Sequence, residues 1–276
     1  MVRQERDIGA VDLLSVLKGG VLTLTLNRPE ARNALTDGML DALEGELSRA
    51  ESSAEVRCIV LRGSGKAFCA GGDVKSMEAV LQGDVWIEDR IRWQRGVQRA
   101  TAGKLFRMPK PTLAVINGPA AGAGLSLALS CDLRLMAQSA FLLTAFTTVG
   151  LSGDFGVTYF LSQVLGSAKA RQMMFLSDRV SAAEALELGL VNWCCEPDDL
   201  IDKANAIAAR LAAGPSTAFG YMKENLNRAM NTEVDDCMDL EATHHIHCMA
   251  TSDHREGVAA FIEKRAPEFG KCRSLK

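Results

Sequence analysis

Two glycine-rich segments, each placed between a short apolar run and a helical pattern, constrain this chain more than any other feature. Residues 68–73 read Phe-Cys-Ala-Gly-Gly-Asp, and residues 117–124 read Asn-Gly-Pro-Ala-Ala-Gly-Ala-Gly. A turn of small residues that enters a helix leaves backbone N–H groups exposed, and the helix dipole adds partial positive charge. One such turn suits phosphate binding. Two that converge would form an oxyanion hole, which stabilises an enolate or a tetrahedral alkoxide.

A dinucleotide-binding interpretation of these glycines is disfavoured by their position. That fold requires GxGxxG directly after the first strand, with an acidic residue about 20 positions further on. Here the second segment reads GxxxGxG and lies in the middle of the chain. We therefore expect no nicotinamide or flavin cofactor.

The segments around the two turns predict an α/β fold. Residues 21–26 alternate in polarity, as in a half-buried strand, and the apolar runs at 58–61 and 112–116 predict two more strands. The leucine spacing after Thr36 predicts a helix capped by that residue.

The later part of the chain becomes helical. Ser181 and Glu184 form a predicted capping box, and a strand is predicted at 190–193. Beyond that strand only helical patterns follow. We therefore expect a core over residues 1–198 and a helical region over residues 199–276.

Charge is absent from the middle of the chain, which raises the question of membrane spans. Residues 111–131 and 135–153 contain no charged side chain. The glycines and the proline of the second turn make a poor spanning helix, so we expect a buried core and no membrane partner.

A net charge of -3 gives no reason to expect a nucleic-acid partner. The charged N-terminus and eight scattered cysteines favour a cytoplasmic protein with reduced thiols.

One cluster near the C-terminus has the residue types of a metal site. It consists of His244, His245, His247 and Cys248. Metal sites normally add ligands from distant parts of the chain, and the only other histidine is His254. A polar helix face is favoured over a metal, and we expect no metal.

Six segments, in order along the chain, resemble the enoyl-CoA hydratase/isomerase (crotonase) superfamily over nearly its full length. They are residues 26–35, 65–74, 109–124, 131–134, 181–191 and 255–265. The resemblance implies a spiral of ββα units followed by a helical trimerisation region. It also implies an acyl-CoA substrate, no prosthetic group, and a homotrimer or a hexamer built as a dimer of trimers.

The resemblance also assigns site residues. The oxyanion donors would be the backbone N–H groups of Ala70 and Ala123. Arg28 or Arg32 would meet the CoA diphosphate, since arginine pairs with phosphate oxygens. The remaining contacts to CoA or substrate are expected from Gly71, Gly72, Asp73, Val74, Ala121, Phe146, Phe261 and Lys264.

The chain departs from the family where hydratases carry two glutamates that activate water. The first of these positions holds Ser126 and the second Phe146. Asp154 follows eight residues after Phe146, a pattern that resembles the single-Asp isomerase branch, which includes the ring enoyl-CoA isomerases of phenylacetate breakdown. We expect an isomerase with Asp154 as the base. The alternative for Asp154 is that it caps a loop or helix.

Other functions remain open. One is an enoyl-CoA hydratase with an atypical base, and another is a CoA-thioester-binding homologue without catalysis. Asp154 as a nucleophile, as in aroyl-CoA dehalogenases, is disfavoured because that branch has Trp where this chain has Phe146. Ser126 as a nucleophile is disfavoured because all histidines lie within 244–254.

The variable segment at 77–104 is expected to line the acyl pocket. It contains Trp86, Ile87, Ile91 and Trp93, which suggest a roomy apolar site. The alternative is that these four residues form an ordinary amphipathic helix face packed on the core.

Overall fold

A mostly parallel sheet lies at the centre of this computed structural model, which describes residues 4–6, 12–74 and 86–270. Its strands, in order across the sheet, are β1 (Gln4–Arg6), β2 (Leu13–Lys18), β3 (Val21–Leu26), β4 (Cys58–Gly63), β5 (Thr112–Ile116), β7 (Leu133–Ala137) and β10 (Trp193–Cys195). The pairs β1–β2 and β2–β3 are antiparallel, and the pairs from β3 to β10 are parallel. A smaller sheet contains β6 (Ala120–Ala121), β8 (Phe141–Leu143) and β9 (Val180–Ser181).

Burial explains the strand sequences. Every residue of β5 is buried, and so is β4 apart from Arg62. Continuous burial is expected of parallel strands that are covered on both faces. The strand predicted at 21–26 is confirmed, with Leu22, Leu24 and Leu26 buried.

Helices cover the sheet and form the C-terminal part. They are α1 (Asp37–Ser52), α2 (Ile87–Ala100), α3 (Ala102–Arg107), α4 (Ala123–Ser130), α5 (Val157–Leu176), α6 (Ala182–Glu187), α7 (Leu200–Ala212), α8 (Ser216–Ala229), α9 (Val234–Met249) and α10 (Ser252–Ile262). Both predicted caps are confirmed. Thr36 accepts a hydrogen bond from Met39 N, and Ser181 and Glu184 form the capping box of α6.

The strand predicted at 190–193 is wrong in its position, because β10 begins at Trp193. The N–H groups of Leu190 and Val191 both donate to Ala185 O, at 2.8 and 3.2 Å. These two residues therefore close the end of α6, and their buried side chains serve the core without joining the sheet.

The helical region that follows β10 begins with a helix of the core. Helix α7 packs on β3, β4, β5 and β7 through Leu200, Ala204, Ala208 and Ala212. A division of the chain at residue 198 stays a prediction.

Most of the charge-free middle forms the interior of the protein, as expected, but residues 147–152 at its end are exposed. It supplies β5, the second glycine turn and α4, every residue of which is buried. Among the described residues, no helix has both the length and the apolar character that a membrane span requires.

Candidate active site

The first glycine turn lies between two neighbouring backbone segments. On one side Leu35 N donates to Gly71 O at 2.8 Å, and Asp73 N donates to Leu35 O at 3.0 Å. On the other side Ala121 N donates to Cys69 O at 2.9 Å. Gly71 has a φ of +101°, a conformation that favours glycine. The turn is therefore held firmly against β6, which leads into the second turn.

The second turn opens α4 and meets the first turn closely. Gly122 is the N-cap of α4, with a φ of +50°, and Ala123 is the first helical residue. A Cβ added at Gly71 would lie 3.6 Å from Ala123 N, and a Cβ added at Gly124 would lie 2.4 Å from Cys69 O. Glycine at these positions lets the two turns converge, as the sequence predicted.

The prediction of Ala70 as an oxyanion donor is wrong, because Ala70 N already donates to Arg32 O at 3.0 Å. Gly72 is the donor that the geometry favours. It forms a parallel bridge with Leu35 that uses Gly71 O and Asp73 N, so the N–H of Gly72 points to the opposite edge, toward the second turn.

The N–H of Ala123 is suited to the same task. Within the ranges that the structure describes, neither Gly72 N nor Ala123 N donates a hydrogen bond to a backbone acceptor. Ala123 N also lies at the positive end of the α4 dipole. The two N–H groups can therefore stabilise negative charge on a bound oxygen.

Asp154 lies in a loop of unusual backbone conformation just before α5. Gly153, Phe155 and Gly156 have φ values of +114°, +46° and +84°. The N-cap of α5 is Gly156, and no side chain caps this helix, so a capping role for the Asp154 carboxyl is wrong. The hydrogen bond from Val157 N, at 3.1 Å, goes to the backbone carbonyl of Asp154 and not to its carboxyl.

The Asp154 carboxyl is largely buried, and one of its oxygens lacks a partner within the described ranges. Its Oδ1 is buried and has no hydrogen-bond partner among the described residues. Burial disfavours the charged form and raises the pKa of Asp154 to about 6. A carboxylate with such a pKa is a stronger base than an exposed one and is still ionised at neutral pH.

Asp154 is close to both turns. Burial raises the pKa of the Cys69 thiol to about 12, and the charge of Asp154 contributes to that shift, which places the carboxylate near the first turn. Ser126, in the first turn of α4, has its Oγ 3.1 Å from Asp154 O and 3.2 Å from Gly122 O. Ser126 is fully buried and therefore acts as an internal hydrogen-bond donor.

Phe146 forms an apolar wall of the second turn. It is buried in the short 3-10 helix Phe146–Val149, and its Cε1 would lie 3.9 Å from a Cβ added at Gly122. The turn also contains Ala121, which is buried. These apolar neighbours keep water away from the space beside the turn.

Arg28 and Asp73 bind each other. An Arg28 guanidinium nitrogen donates to Asp73 Oδ2 at 2.8 Å and to Ala34 O at 2.8 Å, and Arg28 Nε lies 3.6 Å from Asp12. Arg28 is thus committed to fixing the end of the first turn. Arg32 is the exposed arginine of the two and remains the candidate for the diphosphate.

Phe261 lies in the last turn of α10, and Lys264 follows two residues after the end of this helix. The Phe261 side chain is 85% exposed. It borders a groove of 360 Å³ that Pro215, His254 and Phe269 also line. Val74 is likewise exposed. Their contacts with CoA stay predictions.

The histidine cluster is partly buried. The ring of His244 stacks on Tyr221 with centroids 4.1 Å apart, and its Nδ1 lies 2.5 Å from Asn225 Oδ1. The predicted polar helix face therefore includes one buried histidine, His244. Among the described residues no three metal-ligating side chains come together.

Helix α2 carries the residues predicted to line the acyl pocket. Trp86, Ile87 and Ile91 are exposed, whereas Trp93 packs against the core with the Arg90 guanidinium 3.8 Å above its ring. The alternative that all four apolar residues pack on the core is therefore wrong. That they line an acyl pocket stays a prediction. Residues 77–85 of this segment lie outside the described residues.

Known proteins resemble this chain over nearly its whole length. A 1,2-epoxyphenylacetyl-CoA isomerase from Escherichia coli is 36% identical over 260 residues, which cover 93% of this chain and 97% of that protein. A short-chain-enoyl-CoA hydratase from Clostridium acetobutylicum is 33% identical, with 93% and 96% covered.

Solved structures agree with the sequence comparison. The crystal structure of an enoyl-CoA hydratase from Polaromonas sp. JS666 matches with a TM-score of 0.88 and 34% identity, covering 93% of this chain and 98% of that one. The predicted crotonase fold is thereby confirmed. The enoyl-CoA hydratase/isomerase family model matches residues 17–272, and the chain belongs to this family.

Proposed function

We propose that this protein shifts a double bond in an enoyl-CoA thioester, with Asp154 as the base. The thioester oxygen would accept hydrogen bonds from Gly72 N and Ala123 N. The observation that carries the proposal is the Asp154 carboxyl, which is buried beside both turns without a partner for Oδ1. Members of this family act on CoA thioesters without a prosthetic group.

The reaction needs one proton to leave carbon and return at another carbon. Asp154 would take a proton from the carbon α or γ to the thioester, and the electron pair would move into an enolate. The two N–H groups would stabilise the enolate oxygen, each by about 3 kcal/mol. The protonated carboxyl would then return the proton at the other end of the conjugated system, so that the net change is the position of the double bond.

Hydration is the second candidate, because relatives of similar identity carry hydratase or isomerase names. Two residues favour isomerisation over it. The positions where the family's hydratases carry glutamates hold Ser126 and Phe146 here, which leaves Asp154 as the acid/base group beside the turns. A hydratase of this chain would have to activate water with Asp154 alone.

Substrate trials separate these functions. The protein is incubated with 3-enoyl-CoA and 2-enoyl-CoA thioesters, linear and cyclic, and products are followed by the absorbance of the conjugated thioester and by mass. Conjugation without a mass change supports an isomerase, and addition of one water supports a hydratase. Binding without turnover supports a CoA-thioester binder. Asp154→Asn should abolish turnover, and the exposed Asp178→Asn should leave it unchanged.

Subunit association belongs to the same proposal. Apolar side chains remain exposed on α9 and α10, among them Val234, Met238, Ile246 and Val258. Sister subunits in a homotrimer, or a hexamer of two trimers, would cover such faces. Light scattering of the purified protein gives the molar mass that tests this arrangement.

A further inference from the structure

Two side chains from different helices hold the backbone on either side of the Asp154 side chain. Ser126 Oγ, on α4, lies 3.1 Å from the carbonyl oxygen of Asp154. Gln98 Oε1, on α2, accepts a hydrogen bond from Phe155 N at 3.1 Å. The peptide units of residues 154 and 155 are thus bound from both sides.

This backbone needs such support. Phe155 has a φ of +46°, in the left-handed region that side chains other than glycine rarely adopt. Strained residues of this kind persist only where the surroundings determine their conformation. Two contacts restrain this residue: its ring is buried, and its N–H donates a hydrogen bond to Gln98 Oε1.

The Asp154 carboxyl depends on its backbone for position. Its Oδ1 has no hydrogen-bond partner among the described residues, so no side chain anchors that oxygen. A small rotation of the loop would therefore move the carboxyl relative to the N–H groups of Gly72 and Ala123. Helix α4 carries both Ser126 and Ala123, which links the base to the oxyanion turn.

We propose that Gln98 and Ser126 are positioning residues that hold the Asp154 carboxyl against its substrate. The proposal rests on the proposed function, in which Asp154 is the base. It also gives Ser126 a role where the family's hydratases carry a glutamate: its hydroxyl orients the loop of the base and takes no part in proton transfer. The loss of either hydrogen bond should lower kcat and leave KM nearly unchanged.

The Gln98 variants test the first half of the proposal. Gln98→Met keeps the length of the side chain and removes the acceptor, and we expect kcat to fall about tenfold with KM within about twofold. Gln98→Glu restores an acceptor oxygen and should recover kcat at high pH. Its added negative charge near Asp154 should also move the acidic limb of the pH–rate profile to higher pH. Gln94→Met, one helical turn earlier on α2, is the matched control.

The Ser126 variant tests the second half. Ser126→Ala should lower kcat by a similar factor, whereas Ser130→Ala, which removes another buried hydroxyl of α4, should leave kcat unchanged. Thermal unfolding of each variant checks that the fold is kept. The positioning role is refuted if Gln98→Met and Ser126→Ala have the same kcat as their controls. It is also refuted if the kcat of Gln98→Glu at high pH is as low as that of Gln98→Met.

Asp154→Asn in the same assay separates this failure from failure of the proposed function. If Asp154→Asn is inactive while the Gln98 and Ser126 variants match their controls, only the positioning role fails. If Asp154→Asn keeps the wild-type rate of conjugation, the proposed function fails, and the positioning role fails with it.

Discussion

The raised pKa of Asp154 predicts that its ionisation costs the protein stability. The pKa is about 6 in the folded protein, whereas an aspartate carboxyl ordinarily has a pKa of 3.8. At about 1.4 kcal/mol per unit, the ionised carboxylate destabilises the fold by about 3 kcal/mol at neutral pH. Replacement of Asp154 by Asn removes this charge and should stabilise the protein there.

The sign of the pH dependence follows from the direction of the shift. Below the unfolded pKa of 3.8 the carboxyl is protonated in both states, so its ionisation costs nothing. As the pH rises toward 6, the unfolded chain ionises first, and stability is lost. The stability advantage of Asp154→Asn should therefore grow by about 2 kcal/mol between about pH 4.5 and pH 7.5.

Urea unfolding of wild type, Asp154→Asn and the exposed control Asp178→Asn, at one protein concentration and both pH values, measures this effect. The comparison between the two pH values isolates the effect of ionisation on the free energy of unfolding. Any other effect of the Asn amide on stability is the same at both pH values and cancels. An advantage that is absent, or equal at both pH values, would refute the placement of a desolvated carboxyl at Asp154.

Three further predictions concern the site. The kcat/KM of the wild type should fall as the pH drops through about 6, because protonated Asp154 is no base; a profile flat from pH 5 to 8 would contradict this. Ala123→Pro removes the N–H at a helical position that tolerates proline, so kcat should fall about 100-fold or more while Ala182→Pro, at the same position of α6, has little effect. Gly124→Ala should destabilise the protein measurably in urea, because its Cβ would meet Cys69 O at 2.4 Å, whereas Gly96→Ala, with open space, should not.

Features that depend on local sequence were predictable. The alternation in residues 21–26, the cap at Thr36 and the capping box at Ser181 all act within a few residues, and the structure confirms each. The convergence of the two glycine turns was also predictable, because only small residues allow such backbones to approach each other.

Features that depend on long-range pairing were not predictable. Ala70 N is occupied by Arg32 O, and only the bridge between Leu35 and Gly72 shows which N–H points to the site. The hydrogen bond from Phe155 N to Gln98 joins residues 57 positions apart. No spacing in the sequence indicates such a contact. The expectation that Asp154 is the base came instead from the resemblance to the family.

Proton exchange at carbon tests the central claim most directly. A saturated acyl-CoA, which cannot isomerise or add water, is bound to the protein in deuterated buffer, and the loss of its α-proton signal is followed by NMR. We predict exchange with the wild type and with Asp178→Asn, and a rate at least about 100-fold lower with Asp154→Asn. Exchange that continues at the wild-type rate in Asp154→Asn would contradict the assignment of Asp154 as the base.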